Sequence, residues 1–337
     1  MKLNDIPRIR LAHLPTALDE APRLAAAIGL SKLYIKRDDN TGLATGGNKA
    51  RKLEFLMADA QAQGARVVMT CGGAQSNHAR QTAAAACKLG MKCILFLTDP
   101  MPETFEGNLL LDAILDAEIR FLPDADYEAL LRTMHAEEKK LASQGIGSYS
   151  IPVGGSSPVG AMGYVAAMQE IAGQLDDHDA DIVFGVGSSG TLAGMILGQR
   201  LFLPEARLFG ISVSRDSFQC MQRGVKIANQ AAKLIGVEDE IDSSATTIHD
   251  EYIGEAYAVP TQAGMDAILL AARTEGVILD PVYTGKTMAG LIDLAKKGEI
   301  GKDRPVVFWH TGGAAGLFAF HRLFQDEAKR LSTELAT

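Results

Sequence analysis

The stretch TGGNKARKLEFL, at residues 45–56, sets the frame for the rest of the chain. Its two glycines allow the backbone to turn where a Cβ would clash, and a helix is predicted beyond them. The apolar residues that recur at helical spacing are Leu53, Leu56, Met57 and Ala60.

Lys49 then lies at the N-terminus of this helix. The positive end of a helix dipole disfavours an ammonium ion, and a neutral lysine amine attacks carbonyl groups. Lys49 is therefore a candidate Schiff-base lysine. The alternative is a solvated lysine in a basic patch with Arg51 and Lys52.

Length and composition narrow the class of protein. With 337 residues, 47% hydrophobic and 22% charged, the chain is typical of a soluble globular protein of about two domains. A net charge of −8 without a strongly basic tract argues against nucleic acid as a partner.

The N-terminus is too charged for a signal peptide and no apolar run approaches a membrane span, so we expect a cytoplasmic protein with no membrane partner. No metal site is expected, because no metal-binding spacing joins Cys71, Cys87, Cys93 and Cys220.

Strands and helices alternate along most of the chain. Apolar runs predict strands at 33–35, 66–71, 92–97, 118–122, 181–184, 208–213 and 306–309. Helical patterns lie between them at 78–89, 105–115, 127–142, 159–174 and from 191. Strands separated by helices of this length form βαβ units, which predicts an α/β fold with parallel sheets. Residues 229–250 are polar and are left without an assignment.

Residues 185–190 read GVGSSG, a G-x-G-x-x-G pattern between a predicted strand and a helix. This pattern is typical of dinucleotide binding, which would make the chain an NAD(P) oxidoreductase. An acidic residue should then end the next strand, which instead ends in Val213-Ser214-Arg215. Bare amides at a helix N-terminus, with the Ser and Thr hydroxyls nearby, favour a phosphate monoester. A purely structural turn is the third interpretation.

Three further loops carry polar groups at places where α/β sheets bind ligands. Residues 72–78, GGAQSNH, join a strand to a helix, and their amides are candidates for a carboxylate site; simple helix capping is the alternative. Residues 280–286, DPVYTGK, place Tyr283 in a loop before a helix. In residues 310–313, HTGG, Thr311 follows the end of an apolar strand, where ligands bind in open sheets.

A family resemblance rests on six segments between residues 33 and 320: GGNK (46–49), QSNH (75–78), IPVGGS (151–156), GSSGT (187–191), DPVYTGK (280–286) and HTGG (310–313). Together they resemble the D-cysteine desulfhydrase and 1-aminocyclopropane-1-carboxylate (ACC) deaminase family. The resemblance implies a pyridoxal 5'-phosphate (PLP) enzyme with the fold of the tryptophan synthase β subunit. Two open, mostly parallel sheets flanked by helices would form a large PLP-binding domain (1–48 and 162–337) and a small domain (49–161). A homodimer is implied as well.

The resemblance also implies a role for each matching residue. Lys49 would form the Schiff base, Asn77 would lie near the ring hydroxyl, residues 187–191 would hold the phosphate, and Thr311 would face the ring nitrogen. The implied catalytic residues are Lys49, Ser76 and Tyr283. The implied cofactor-binding residues are Lys49, Asn77, Gly187, Ser188, Ser189, Gly190, Thr191 and Thr311. The implied substrate-binding residues are Ser76, Asn77, His78, Tyr257 and Tyr283.

The implied reaction is β-elimination from a cysteine-like amino acid. D-Cysteine would yield pyruvate, ammonia and sulfide, and L-cysteate would release sulfite. Residues 12–16 and 41–43 resemble the L-cysteate sulfo-lyases of the same family. ACC deaminases carry a glutamate directly after the tyrosine that matches Tyr283, whereas this chain has Thr284, which argues against opening of the ACC ring. A non-catalytic amino-acid-binding protein of the same fold is a further alternative.

Overall fold

The computed structural model describes residues 2–332 and shows an α/β fold with two sheets. The strands are β1 (Leu18–Glu20), β2 (Leu33–Lys36), β3 (Val67–Gly72), β4 (Lys92–Leu97), β5 (Glu118–Phe121), β6 (Ser148–Ser150), β7 (Asp181–Val186), β8 (Arg207–Ser212), β9 (Thr246–His249) and β10 (Val306–Trp309).

The helices lie between and beyond these strands. They are α1 (Pro22–Ile28), α2 (Lys49–Ala62), α3 (Asn77–Lys88), α4 (Gly107–Ile114), α5 (Tyr127–Ser143), α6 (Pro158–Ala172), α7 (Gly190–Phe202), α8 (Ser217–Leu234), α9 (Gln262–Glu275), α10 (Thr284–Lys297), α11 (Ala314–Ala319) and α12 (Gln325–Arg330).

The larger sheet has six strands in the order β1-β2-β10-β7-β8-β9. All its pairs are parallel except β1 with β2. Its central strands are buried on both faces and therefore consist of continuous apolar runs, such as the fully buried residues of β10. Ile182 and Val307 pack on one side of this sheet, and Val183 and Phe308 on the other. The prediction of an open, mostly parallel sheet flanked by helices is confirmed.

The smaller sheet has four parallel strands in the order β5-β4-β3-β6. All four lie between residues 67 and 150, whereas the larger sheet takes strands from both ends of the chain. The proposed division into residues 1–48 with 162–337 and residues 49–161 is compatible with this arrangement and stays a prediction. Its second boundary would fall inside α6.

The structure differs from the sequence prediction at residues 229–250 and near the N-terminus. The segment without an assignment contains the end of α8 and the strand β9. The buried stripe of α8 consists mostly of small residues, Cys220, Gly224, Ala228 and Ala231, which carry a weak hydrophobic signal. The strand β1 has three residues, too few to show a period. Among the described residues, no helix is both long and apolar enough to span a membrane.

Candidate active site

The carboxyl ends of strands from both sheets open onto one cavity of about 410 Å³. Gly72 ends β3 and Val186 ends β7, and both line it, as do the loops after β8 and β10. The structure brings together eleven of the twelve residues predicted for the site: Lys49, Ser76, Asn77, His78, Gly187, Ser188, Ser189, Thr191, Tyr257, Tyr283 and Thr311. Gly190 does not line the cavity, because its amide points to Oγ of Ser156 at 3.1 Å.

Lys49 is the first residue of α2, and its Nζ donates a hydrogen bond of 2.9 Å to Oδ1 of Asn48. Burial, together with the nearby positive charge of Arg80, lowers the pKa of Lys49 to about 8. The sequence predicted a favoured neutral amine from the helix dipole; the direction of the pKa shift agrees, and burial is a major cause of it. Asn48 was missed as a functional residue. Its Nδ2 donates to Oγ1 of Thr191 at 3.1 Å, so Asn48 links Lys49 to the glycine loop.

The glycine loop connects β7 to α7. Ser189 adopts a left-handed backbone conformation (φ 65°), which turns the chain into the helix. The first amides of a helix have no acceptor within it, so this end of α7 favours an anion. Oγ of Ser189 is buried and has no hydrogen-bond partner among the described residues. Oγ of Ser156 donates to Oγ of Ser188 at 2.8 Å and so braces the loop from outside.

A second helix end faces the same cavity. Ser76 is the N-cap of α3, and its Oγ accepts from the amide of Ala79 at 3.1 Å, so the predicted capping role is real. Its hydroxyl proton and the backbone amides of Asn77 and His78 remain available to donate hydrogen bonds to an anion. The imidazole of His78 is buried against Oγ1 of Thr70 (Nε2 to Oγ1, 2.9 Å), and burial lowers its pKa well below the usual value. His78 therefore offers its backbone amide rather than a charged ring.

Two tyrosines meet at another wall of the cavity. The hydroxyls of Tyr257 and Tyr283 lie 2.5 Å apart, and burial raises the pKa of Tyr283 well above its usual value. Both hydroxyls keep their protons at neutral pH; one donates to the other, which leaves one proton to donate to a ligand. Nζ of Lys286 donates to the carbonyls of Ile253 (2.6 Å) and Ala256 (3.3 Å), which fixes the segment before Tyr257.

Thr311 lies on the turn after β10. The amide of Asn48 donates to its carbonyl at 3.0 Å, so the turns before Lys49 and after β10 are joined through the backbone. His310 is buried beside this turn: its Nδ1 accepts from the amide of Gly312 at 3.3 Å, while Nε2 pairs with the carbonyl of Ile278. Gly313 passes so close to Asp280 that an added Cβ would lie 2.4 Å from its Oδ1.

Three basic residues near the cavity were also missed. Lys52 is fully buried and its Nζ donates to the carbonyl of Gly154, a residue of the cavity wall. Arg80 is buried beneath Asn77. Arg215 lines the cavity, and its Nη1 donates to the carbonyl of Gly187 at 3.1 Å. Charged side chains on helices and loops are normally exposed, so the burial of Lys52 and Arg80 gave no signal in the sequence. Within residues 2–332, no Asp or Glu lines the cavity, which favours anionic ligands.

Comparison with known proteins identifies the cofactor. The family model described as pyridoxal-phosphate dependent enzyme matches residues 9–312. The chain belongs to this family. A D-cysteine desulfhydrase of Salmonella newport (strain SL254) is 44% identical over 335 residues, which cover 95% of this chain and 98% of the relative.

Solved structures agree with this family. A structure described as an ACC deaminase homologue has a TM-score of 0.89 and 40% identity, over 96% of this chain and 97% of that one. The threonine deaminase isoform 2 of Solanum lycopersicum, with a TM-score of 0.66, 18% identity and coverage of 98% and 85%, shares the fold. PLP is thus the cofactor, and the interpretation of residues 185–190 as an NAD(P) site is wrong.

The residues of the cavity fit PLP. The cofactor carries an aldehyde and a phosphate, and the cavity offers an amine of lowered pKa at Lys49 and a helix N-terminus at the glycine loop. Ser188 and Thr191, which line the cavity beside that loop, add hydroxyl groups. Gly187 leaves open space, since an added Cβ would meet no atom closer than Cε1 of Tyr283 at 3.6 Å. A residue with a side chain would fill this part of the cavity.

The two segments that resemble the sulfo-lyases do not reach the cavity. Ala12 pairs with Gly42 in an isolated antiparallel bridge, and the amide of His13 donates to the carbonyl of Thr41 at 2.9 Å. The two segments contact each other, and neither lines the site. Their resemblance therefore says nothing about which substituent leaves.

Proposed function

We propose that this chain is a PLP-dependent carbon–sulfur lyase that converts D-cysteine and water to pyruvate, ammonia and sulfide. One observation carries the proposal: the amine of Lys49, the glycine loop before α7 and the N-terminus of α3 all face one cavity. The name of the substrate comes from relatives that are 44% identical over nearly the whole chain.

The proposed cofactor site uses three parts of the cavity. Lys49 holds the aldehyde carbon covalently, and the amides and hydroxyls of residues 187–189 and 191 hold the phosphate. Gly190 contributes to the shape of the loop, since its amide is engaged by Ser156. Asn77 and Thr311 face the ring. When bound, PLP supplies an electron-poor ring that takes up the negative charge left at Cα after proton removal.

The proposed substrate site lies at the start of α3. The amides of Asn77 and His78, with the hydroxyl of Ser76, hold the α-carboxylate. Nζ of Lys49, freed when the substrate amine takes its place on the aldehyde carbon, would take the proton from Cα, and its lowered pKa makes the neutral amine available close to pH 8. The hydroxyl of Tyr283, supported by Tyr257, donates a hydrogen bond to the departing sulfur.

A second candidate reaction is release of sulfite from L-cysteate. It is favoured by Arg215, a cation in a cavity wall whose described partner is a backbone carbonyl rather than a carboxylate. A sulfonate has oxygens that can accept two N–H groups of one guanidinium, whereas a thiol gains little from this contact. Opening of ACC is not expected, since Thr284 stands where the deaminases carry a glutamate.

The test is to supply the PLP-loaded protein with D-cysteine, L-cysteine, L-cysteate and ACC in parallel. Pyruvate, sulfide, sulfite and 2-oxobutanoate are then measured separately. The proposal expects pyruvate with equal sulfide from D-cysteine. Pyruvate with sulfite from L-cysteate would establish the second candidate, and 2-oxobutanoate from ACC would overturn both. Lys49→Ala is the control, which should fold normally and release no product.

The assembly, domains and location belong to the same proposal. A homodimer is supported by exposed apolar side chains on the packed helices α4 and α11, namely Leu110, Ile114 and Phe318. Light scattering at several concentrations tests it.

Two domains, 1–48 with 162–337 and 49–161, are supported by the separate sheets, and limited proteolysis near the boundaries tests them. A cytoplasmic location is supported by the free cysteines and tested by fractionation.

A further inference from the structure

Arg80, on the first turn of α3, is fully buried and donates hydrogen bonds in three directions. Nη1 contacts the carbonyls of Ala44 and Gly46 (3.0 Å to Gly46), in the loop that leads to Lys49. Nε donates to Oδ1 of Asn108 at 2.9 Å. These contacts depend on the fork of the guanidinium, that is, on its planar arrangement of N–H donors in fixed directions. Lysine does not have this arrangement.

The charge of Arg80 is not neutralised by a hydrogen-bonded carboxylate. Asp112 on α4 is its acidic neighbour, but both carboxylate oxygens of Asp112 are buried without a hydrogen-bond partner among residues 2–332. Burial raises the pKa of Asp112 to about 8, so this side chain is mostly protonated at pH 7. Burial lowers the pKa of Arg80 to about 10, which leaves it charged. A buried, uncompensated charge is costly and is seldom kept without a function.

Arg80 and Asn108 together determine which end of the Asn77 carboxamide faces the cavity. Oδ1 of Asn77 accepts from Nδ2 of Asn108 at 3.0 Å and from Nη2 of Arg80 at 3.4 Å. A rotated carboxamide would bring its NH₂ group against these two donors, so the observed orientation is fixed. Asn77 also lines the cavity, and the group that remains for a ligand there is its NH₂.

We infer that Arg80 is a positioning residue of the cofactor site, which anchors the loop before Lys49 and turns the NH₂ group of Asn77 toward the cofactor. This inference rests on the cofactor placement proposed above. It assigns to Asn77 the role of a hydrogen-bond donor, which favours a deprotonated oxygen on the cofactor ring. It also explains why a charged side chain is retained in a buried position next to the site.

The charge of Arg80 acts on Lys49 as well. Four charged or titratable groups act on the Lys49 amine: Arg80 lowers its pKa, Asp280 raises it, and Lys52 and His78 lie close enough for their own pKa values to be lowered by Lys49. Burial lowers the pKa of both Lys52 and His78 well below their usual values, whereas the pKa of Arg80 stays at about 10. Arg80 therefore acts on Lys49 as a full positive charge at neutral pH.

The experiment separates charge from geometry with Arg80→Gln and Arg80→Lys. Cofactor-free protein is acetylated at pH values from 6 to 10, and modification of Lys49 is followed by mass spectrometry. Arg80→Gln is expected to raise the pKa of Lys49 by roughly one unit, whereas Arg80→Lys keeps the charge and leaves that pKa near the wild-type value. Both are expected to raise the PLP dissociation constant by about tenfold or more, because both lose the fork.

Asn108→Asp gives a test that does not depend on removing the buried arginine. It keeps an acceptor for Nε of Arg80 but removes the donor to Oδ1 of Asn77, so the PLP dissociation constant is again expected to rise about tenfold. The exposed Arg66 provides the control Arg66→Gln, which should change neither quantity. The inference would be overturned if folded Arg80→Gln kept both the wild-type pKa of Lys49 and the wild-type affinity for PLP. It would also be overturned if Asn108→Asp bound PLP as tightly as the wild type.

Borohydride reduction of the wild-type holoenzyme, followed by peptide mapping, separates this inference from the assignment beneath it. If PLP becomes attached to a residue other than Lys49, the proposed cofactor placement fails. If PLP is attached to Lys49 while the Arg80 variants behave as wild type, only the role of Arg80 fails.

Discussion

The hydroxyl of Thr284 donates a hydrogen bond of 2.7 Å to Oδ1 of Asp280, at the point where α10 begins. Asp280 also accepts from the backbone amides of Val282, Tyr283 and Thr284, each at 2.9 Å. Thr284 is 1% exposed and does not line the cavity. The carboxylate of Asp280 therefore fixes the start of the helix, and through it the backbone of Tyr283.

Thr284→Glu is accordingly expected to destabilise the protein rather than to convert it to an ACC deaminase. The new carboxylate would lie against Asp280 in a buried site, which costs several kcal/mol or requires protonation of one of the two. The measurements are the melting temperature and 2-oxobutanoate production from ACC. Thr284→Ser keeps the hydroxyl and should melt close to the wild type. ACC turnover by a normally stable Thr284→Glu variant would contradict this expectation.

The rate at which cofactor-free protein captures PLP should depend on pH through Lys49. Only the neutral amine attacks the aldehyde, and the pKa of Lys49 is lowered to about 8. Below pH 8 the rate is expected to rise about tenfold per pH unit, and above it to level off. The absorbance of bound PLP follows the reaction, with Lys49→Ala as the blank. A rate that still rises steeply at pH 9.5 would show an unperturbed lysine.

Gly187→Ala is expected to weaken PLP binding without changing the stability of the cofactor-free protein. The added Cβ would lie 3.6 Å from Cε1 of Tyr283 and 3.9 Å from Cγ2 of Val213, which are ordinary contact distances. The methyl group instead occupies the space that the cofactor needs near the loop amides. Titration of the cofactor-free protein with PLP measures the effect. Gly173→Ala, at an exposed glycine outside the cavity, is the control, and equal affinity of the two variants would count against a phosphate role for the loop.

The sequence predicted the fold well where local pattern and tertiary environment agree. Buried parallel strands such as 306–309 are continuous apolar runs, and glycine-containing turns follow β3, β7 and β10. The same turns identified the site, because ligands bind beyond the carboxyl ends of such strands. The cavity contains eleven of the twelve predicted site residues for this reason.

The parts that escaped prediction depend on partners distant in sequence. Arg80 is anchored by Ala44, Gly46 and Asn108, which lie 28 to 36 residues away, so nothing near it in the chain indicates that it is buried. The hydroxyl of Thr284 likewise has a partner that no local pattern indicates, since only the structure shows that it donates to Asp280. The lowered pKa of Lys49 was expected from a helix dipole, and the burial that also lowers it depends on residues far away in the chain.

Asp112→Asn is expected to stabilise the protein at alkaline pH and to have little effect at acidic pH. Burial raises the pKa of Asp112 from 3.8 in the unfolded chain to about 8 in the folded one. Between these values the folded protein holds a proton that the unfolded chain has lost, so the free energy of unfolding falls as pH rises from about 4 to 8. Asparagine cannot ionise, and the variant should avoid this loss.

The difference between Asp112→Asn and the wild type should therefore be smallest at pH 4 and grow by about 1.4 kcal/mol per pH unit up to pH 8. Urea unfolding of the cofactor-free proteins at both pH values measures it, and taking the difference cancels all groups that titrate alike in the two proteins. Asp116→Asn, at an exposed position on the same segment, should show no such growth. A constant difference at both pH values would mean that Asp112 is ionised in the folded protein and that the charge of Arg80 is compensated after all.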